Sequence, residues 1–272
     1  MKIFFTLIGF LASAQFNLAY ADDAQFPHRA KYKNIPIMEI EQLHRELGNI
    51  YLVDVRSAYE YETLHIKDAL HIPLNKEKLP GAVRALRKDE TKAVVFYCNG
   101  TTCKKSYQAA EIALNAGITR VFAYDAGLET WTKLYPEQSV LLGQSPVKQN
   151  EIIDSAQFKK HVLPAAEFEA RIGPTALVLD IRDMRQRDVM LFPFKEERAQ
   201  LDDRQRIAEV VNQAKQANKT LLVYDKVGHQ ARWFQYYLEK QGLKNYFFLD
   251  GGSEGYFEAK FGKSKVQAPE RS

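Results

Sequence analysis

Cysteine is scarce in this chain: its 272 residues include two, Cys98 and Cys103. Two are too few for a disulfide-stapled scaffold, in which several bridges stand in for a core. They lie so close in sequence that a bridge between them closes a small loop and adds little chain-entropy stability. A pair this close reads as redox or catalytic chemistry, the alternative being a local disulfide that ties down a loop. Charge of one sign is lacking too. The formal net charge of +4 is too small and too evenly spread for a nucleic-acid surface, although mild basicity suits small anions. Beyond Ile3 to Ala14, no apolar run approaches the ~20 residues of a spanning helix.

What is present begins with a leader. A basic Met1-Lys2 precedes the apolar run, and Ala19-Tyr20-Ala21 is a small-x-small cleavage site followed by Asp22-Asp23. This is the layout of a secretory signal peptide, residues 1–21, cleaved after Ala21. The rival reading, a retained anchor, needs a longer run. The expected location is therefore periplasmic or secreted, with no stable membrane span after cleavage. The remaining length suits two modest domains, and 46% apolar with 26% charged residues is ordinary for globular proteins.

The chain repeats itself at roughly 126 residues. Leu52-Val53-Asp54-Val55-Arg56 is echoed by Val178-Leu179-Asp180-Ile181-Arg182, and Val94-Val95-Phe96-Tyr97 by Leu221-Leu222-Val223-Tyr224. Phe122-Ala123-Tyr124-Asp125-Ala126-Gly127 is echoed by Phe247-Phe248-Leu249-Asp250-Gly251-Gly252. Short β-rich apolar runs alternate with helix-length segments in each copy. The pattern predicts an α/β fold, each copy a small, mainly parallel sheet flanked by helices. The boundaries read as a first domain over 37–136, a Pro- and Gly-bearing linker over 137–150, a second domain over 151–262 and a flexible tail over 263–272.

The most informative stretch runs from Val94 to Tyr107. An apolar strand delivers Cys98 to its carboxyl end, where ligands bind in open α/β sheets. The loop Asn99, Gly100, Thr101, Thr102, Cys103 follows, and Ser106 is placed to cap the next helix, whose inner side carries Ala109, Ala110, Ile112 and Ala113. A loop curling into a helix N-terminus turns backbone N–H groups toward its centre and forms an anion nest. There the helix dipole, Lys104 and Lys105 favour a thiolate, which can lower a thiol from ~8.5 into the range ~3.5–7.5. The same nest would hold an anionic substrate against the sulfur. The plain alternative for the two lysines is a solvated helix start.

With these residues, the chain resembles a rhodanese (sulfurtransferase) domain. The resemblance also rests on Asp54-x-Arg56, on Leu64-His65-Ile66-Lys67-Asp68-Ala69, and on Tyr124-Asp125-Ala126-Gly127 with Trp131. It covers most of the mature chain as a tandem pair. It implies that Cys98 attacks a donor such as thiosulfate, holds the sulfur as a persulfide and passes it to cyanide or a thiol. The backbone of Asn99 to Cys103 would stabilise the persulfide. It implies a small sulfur anion and a thiol acceptor as partners, and neither a metal nor an organic cofactor.

Two departures from the family pattern matter. The loop is about two residues longer, like the Cys-x5-Arg loop of phosphatase and arsenate-reductase relatives, but Lys104 stands at the arginine place and grips a phosphate dianion less well. Cys103 inside the loop could convert a Cys98 sulfenate or persulfide into a disulfide, which would call for a periplasmic thiol reductant. In the second copy Asp225 occupies the cysteine's place, and a carboxylate there would fill an anion nest. Asp183 to Asp203 replaces the His-Ile-x-x-Ala segment and carries Phe192-Pro193-Phe194, a stretch suited to packing on the first domain or to a partner. Asp54 and Arg56 read as structural, since Asp180 and Arg182 persist in the silent copy. His65, His71 and His229 read as hydrogen-bonded structural histidines, and Trp131 and Tyr256 as packing anchors. Three functions remain open: a sulfurtransferase using Cys98, a thiol–disulfide protein using Cys98 and Cys103, or a non-catalytic anion- or partner-binding module.

Overall fold

The computed structural model describes residues 25–262; the leader over 1–21 and the tail over 263–272 lie outside them. In chain order the strands are β1 (Ile50–Asp54), β2 (Leu64–Ile66), β3 (Leu70–His71), β4 (Ala93–Tyr97), β5 (Val121–Tyr124), β6 (Ser139–Leu141), β7 (Val162–Leu163), β8 (Ala176–Asp180), β9 (Glu196–Arg198), β10 (Thr220–Tyr224) and β11 (Tyr246–Leu249). The chain divides into two compact units. Among the described residues, 25–56 and Asp68–Trp131 make the first; Ser57–Lys67 and 132–262 make the second.

The first unit holds a parallel sheet in the order β3-β1-β4-β5. Its central strand β4 is Ala-Val-Val-Phe-Tyr, with all five residues buried. A continuous apolar run is what a parallel strand covered on both faces requires. Side chains alternate across the sheet, so Val94, Phe96 and Cys98 share one face. There they pack with Ala109, Ala110 and Ala113 of the helix Lys105–Asn115. Alanine has no bulk to hold the helix off the sheet, so the helix start comes close to the end of β4.

The second unit has a five-stranded parallel sheet ordered β7-β11-β10-β8-β9. The duplication extends to strand register: Asp54 pairs opposite Tyr97, as Asp180 pairs opposite Tyr224. Within the 137–150 segment read as a linker, β6 pairs antiparallel with β2, and the Ser145–Pro146 peptide is cis. Tyr59, from the helix Ala58–Thr63, packs on the second unit's core. Phe192 also packs into that unit's own core, against Phe168 and Tyr224, while Phe194 is fully exposed. Among the described residues no helix is long and apolar enough to cross a membrane.

Candidate functional site

Cys98 directly follows β4, with 1% of its surface exposed. Its sulfur is bonded to that of Cys103 as a disulfide, with the two Cα atoms 6.4 Å apart, inside the range such bridges span. Cys103 is half-buried and sits nearer solvent than Cys98. Its N–H donates to the Gly100 carbonyl at 2.8 Å, closing a turn that folds the chain back over the end of the strand. One expectation is corrected here. Ser106 does not cap the helix: Lys104 holds the cap position without a side-chain bond. Because the helix starts at Lys105, Ser106 falls on its inward face, fully buried, with its hydroxyl oxygen 3.8 Å from Cys98 Sγ.

The other expected loop residues have distinct places. Asn99 Oδ1 accepts from Arg56 Nη1 at 3.1 Å, and its carbonyl accepts from the Glu129 N–H at 3.4 Å. Gly100 lies against Gly127, Thr101 is half-buried, Thr102 and Lys104 are exposed, and Lys105 is half-buried at the helix start. Asp54 and Arg56 form a fully buried ion pair, Nη2 to Oδ2 at 2.6 Å, that also anchors the loop through Asn99. The Cys98 carbonyl accepts from the Leu128 N–H at 3.1 Å. Gly127 makes that approach possible, with φ at +76° in the left-handed region that glycine tolerates.

A segment the sequence reading did not single out closes the loop from outside. His28 Nε2 lies 2.9 Å from the Thr102 carbonyl as a donor. Arg29 donates twice to Asp125, at 2.8 and 3.1 Å. Tyr107, stacked on Tyr32 with ring centres 5.1 Å apart, donates its hydroxyl to the same carboxylate at 2.5 Å. Burial, and next the Asp125 carboxylate, push the Tyr107 phenol well above its ordinary range. The folded state thus holds this proton more tightly than the unfolded chain. Its contribution to stability is intact below about pH 10 and declines as pH rises above that. Tyr107→Phe is expected to flatten the alkaline limb of stability against pH, read by denaturant unfolding; an unchanged limb would rule this linkage out.

The second unit presents the same frame in a closed form. The Asp225 carbonyl accepts from the Ser253 N–H at 2.8 Å, as that of Cys98 does from Leu128. The Asp225 carboxylate turns into its own loop and accepts from the N–H groups of Gly228, Gln230 (2.5 Å) and Ala231 (3.2 Å). Burial pushes this carboxyl above the usual carboxylate range, against the pull of those three donors. Arg182 pairs with Asp180 at 2.9 Å and holds the following segment by the Gln186 and Val189 carbonyls.

A model of the rhodanese-like domain matches residues 39–134 and again residues 148–259. This chain belongs to the rhodanese-like family. It is a tandem rhodanese-like protein, and both of its cysteines fall within the first match. Over 93 residues it is 36% identical to the tRNA uridine(34) hydroxylase of Yersinia enterocolitica, a match covering 33% of this chain and 26% of that protein. It therefore spans only a quarter of the length of the curated relatives it matches. The thiosulfate sulfurtransferase of Pseudomonas aeruginosa aligns with 84% of this chain and 45% of its own, at 21% identity and a TM-score of 0.36. The BH2092 protein of Bacillus halodurans aligns with 52% of this chain and 98% of its own, at 24% identity and a TM-score of 0.36.

The remaining residues of this rhodanese-like protein fall into packing roles. His71 Nε2 lies 3.0 Å from the Arg56 carbonyl. His65 groups with the second unit rather than with the Cys98 loop; its Nδ1 lies 2.6 Å from the Tyr61 carbonyl. Trp131 is fully buried, edge-on to Tyr124, and Tyr256 is edge-on to Phe192. Among the described residues no three His, Cys, Asp or Glu side chains cluster to hold a metal. A cavity of about 550 Å³, lined by Ile152, Ile153, Gln235, Tyr236 and Glu239 among others, belongs to the second unit alone.

Proposed function

We propose that the first domain takes up sulfane sulfur from a thiosulfate-like anion as a Cys98 persulfide. The observation that carries this reading is the contrast between the two loops. Both lie where a strand end meets a helix start, but one holds a sulfur beside a buried hydroxyl and the other is filled by its own carboxylate. The Ser106 hydroxyl lies 3.8 Å from the Cys98 sulfur, where it would donate to a thiolate. The helix start favours negative charge on it. Asn99 to Lys105 form the wall that an anionic donor would meet. The second domain, with Asp225 accepting the loop's own N–H groups, acts as a silent partner in this scheme.

The bridge favours a second reading, a thiol–disulfide protein that cycles the Cys98–Cys103 pair. An exported location, read from the leader, suits a bridged resting state. In either reading the bridge must be reduced before Cys98 can act as a nucleophile.

The two readings separate in one experiment. The full chain is reduced with a dithiol, freed of reductant, exposed to thiosulfate and measured by intact-mass and peptide mass spectrometry. Cys103→Ser is expected to gain one sulfur atom on Cys98, and Cys98→Ser none. If Cys103→Ser takes no sulfur while the wild-type pair opens and closes reversibly, sulfur transfer is excluded and the dithiol reading stands.

A further inference from the structure

We propose that Cys103 is a resolving cysteine, and that this domain reduces sulfane sulfur to hydrosulfide rather than only handing it on. The inference rests on the Cys98 persulfide proposed above and adds the fate of its outer sulfur. Three observations lead to it. The two sulfurs are bonded, so the loop brings Cys103 Sγ onto Cys98 Sγ in its described conformation. In the bridged form Cys98 is 1% exposed and its sulfur has Cys103 Sγ as its neighbour, so the loop can return to a geometry in which the resolving attack is made. Cys103 is half-buried in the same turn, held there by its own N–H bond to Gly100. An attack within one loop proceeds at a high effective concentration, which a dilute external thiol does not match.

The chemistry balances in three steps. The Cys98 thiolate attacks the outer sulfur of thiosulfate; the sulfur–sulfur bond breaks, and sulfite leaves with the electron pair. The Cys103 thiolate then attacks Cys98 Sγ. The bond to the outer sulfur breaks, and that sulfur leaves as hydrosulfide, taking up a proton. The net reaction is one thiosulfate and two thiols giving sulfite, hydrogen sulfide and one disulfide. The two cysteines have supplied the two electrons that reduce the sulfane sulfur. An external dithiol then regenerates the pair by attacking the more accessible Cys103 sulfur and expelling Cys98. The helix start stabilises Cys98 as the leaving thiolate, which favours that direction of exchange.

Ser106 fits the same cycle. Its hydroxyl lies 3.8 Å from Cys98 Sγ, so it can donate to the thiolate both when Cys98 attacks and when it leaves. The long loop also acquires a purpose, since it places a second sulfur inside the turn.

The test is a single turnover without any external thiol. Reduced, desalted full-length protein is mixed anaerobically with thiosulfate, and sulfite, sulfide and the state of each cysteine are read together. Wild type is expected to yield sulfite and sulfide in about equal amounts, with the bridge formed at the same rate as sulfide release. Cys103→Ser is expected to release sulfite, retain the persulfide on Cys98 and lose sulfide production by at least about tenfold. Unfolding midpoints of the reduced proteins check that both variants are folded. The inference is overturned if wild type keeps its persulfide without releasing sulfide. It is equally overturned if the outer sulfur appears on Cys103, which would mean relay without reduction. If folded Cys103→Ser takes up no sulfur at all, the underlying persulfide reading fails instead, so the two failures are distinguishable.

Discussion

Arg56→Ala is expected to destabilise the first unit by about 3–5 kcal/mol. Arg56 and Asp54 are both fully buried, and the guanidinium donates to both carboxylate oxygens, at 3.0, 3.2 and 2.6 Å. Removing the arginine leaves a buried carboxylate without its counter-charge, which costs far more than the pair contributes net. The same change releases Asn99 from its 3.1 Å bond, so sulfur uptake at Cys98 should slow as well. The check is denaturant unfolding of the reduced and oxidised full chain, with Arg182→Ala as the matched change in the second unit. Replacing both partners by apolar residues, as in Asp54→Leu with Arg56→Met, should recover much of the stability but not the Asn99 anchor. A loss below about 1 kcal/mol for Arg56→Ala would show that water reaches Asp54 and that the pair is not sealed.

Gly127→Ala is expected to cost about 2–5 kcal/mol and to displace the Cys98 loop. Two effects add. A φ of +76° suits alanine poorly, at about 1–2 kcal/mol. A methyl group there would also overlap Gly100 Cα and N and stand 2.6 Å from the Asn99 carbonyl carbon. These are backbone atoms, which cannot swing aside as a side-chain end can, and overpacking of this kind costs about 1–3 kcal/mol. The loop must move, taking Cys103 with it. Bridge formation and sulfur uptake should both fall, whereas Gly48→Ala, with open space around the new methyl, should leave them unchanged. Thermal unfolding and the rate of disulfide closure measure the two effects separately. Normal closure in a destabilised Gly127→Ala protein would mean that the loop is positioned by something other than this contact.

Parts of this architecture were legible because they repeat. Asp-x-Arg at a strand end, and the matching Gly turn, recur in both copies, and a repeat averages out the ambiguity of any one short run. The placement of Cys98 followed from a strand whose five residues are all apolar. Ser106 was misplaced by a sequence rule: serine before a helix signals a cap, yet a start two residues earlier, at Lys105, turns the same hydroxyl inward to the sulfur. His28 and Arg29 left no local signal; Tyr107 and Asp125 stood in quoted stretches, but their link to Arg29 did not show, because Arg29 and Asp125 meet across 96 positions. Strand β6, with three residues, was too short to show alternation beside a proline and a glycine. It therefore read as linker.

The short excursion of Ser57–Lys67 into the second unit makes the two units interleaved along the chain. The polypeptide passes between them after Arg56, again after Lys67 and a third time after Trp131. No single cut can separate them cleanly: cleavage before Ser139 parts β2 from its partner β6, and cleavage after Leu141 leaves that pair on the first unit's fragment, cut off from the rest of the second unit. On the ribosome, β2 is made long before β6 and must wait unpaired while the first sheet assembles. A repeat that reads along the sequence as two beads on a string is therefore threaded, in its chain path, as two beads that share a stretch of string.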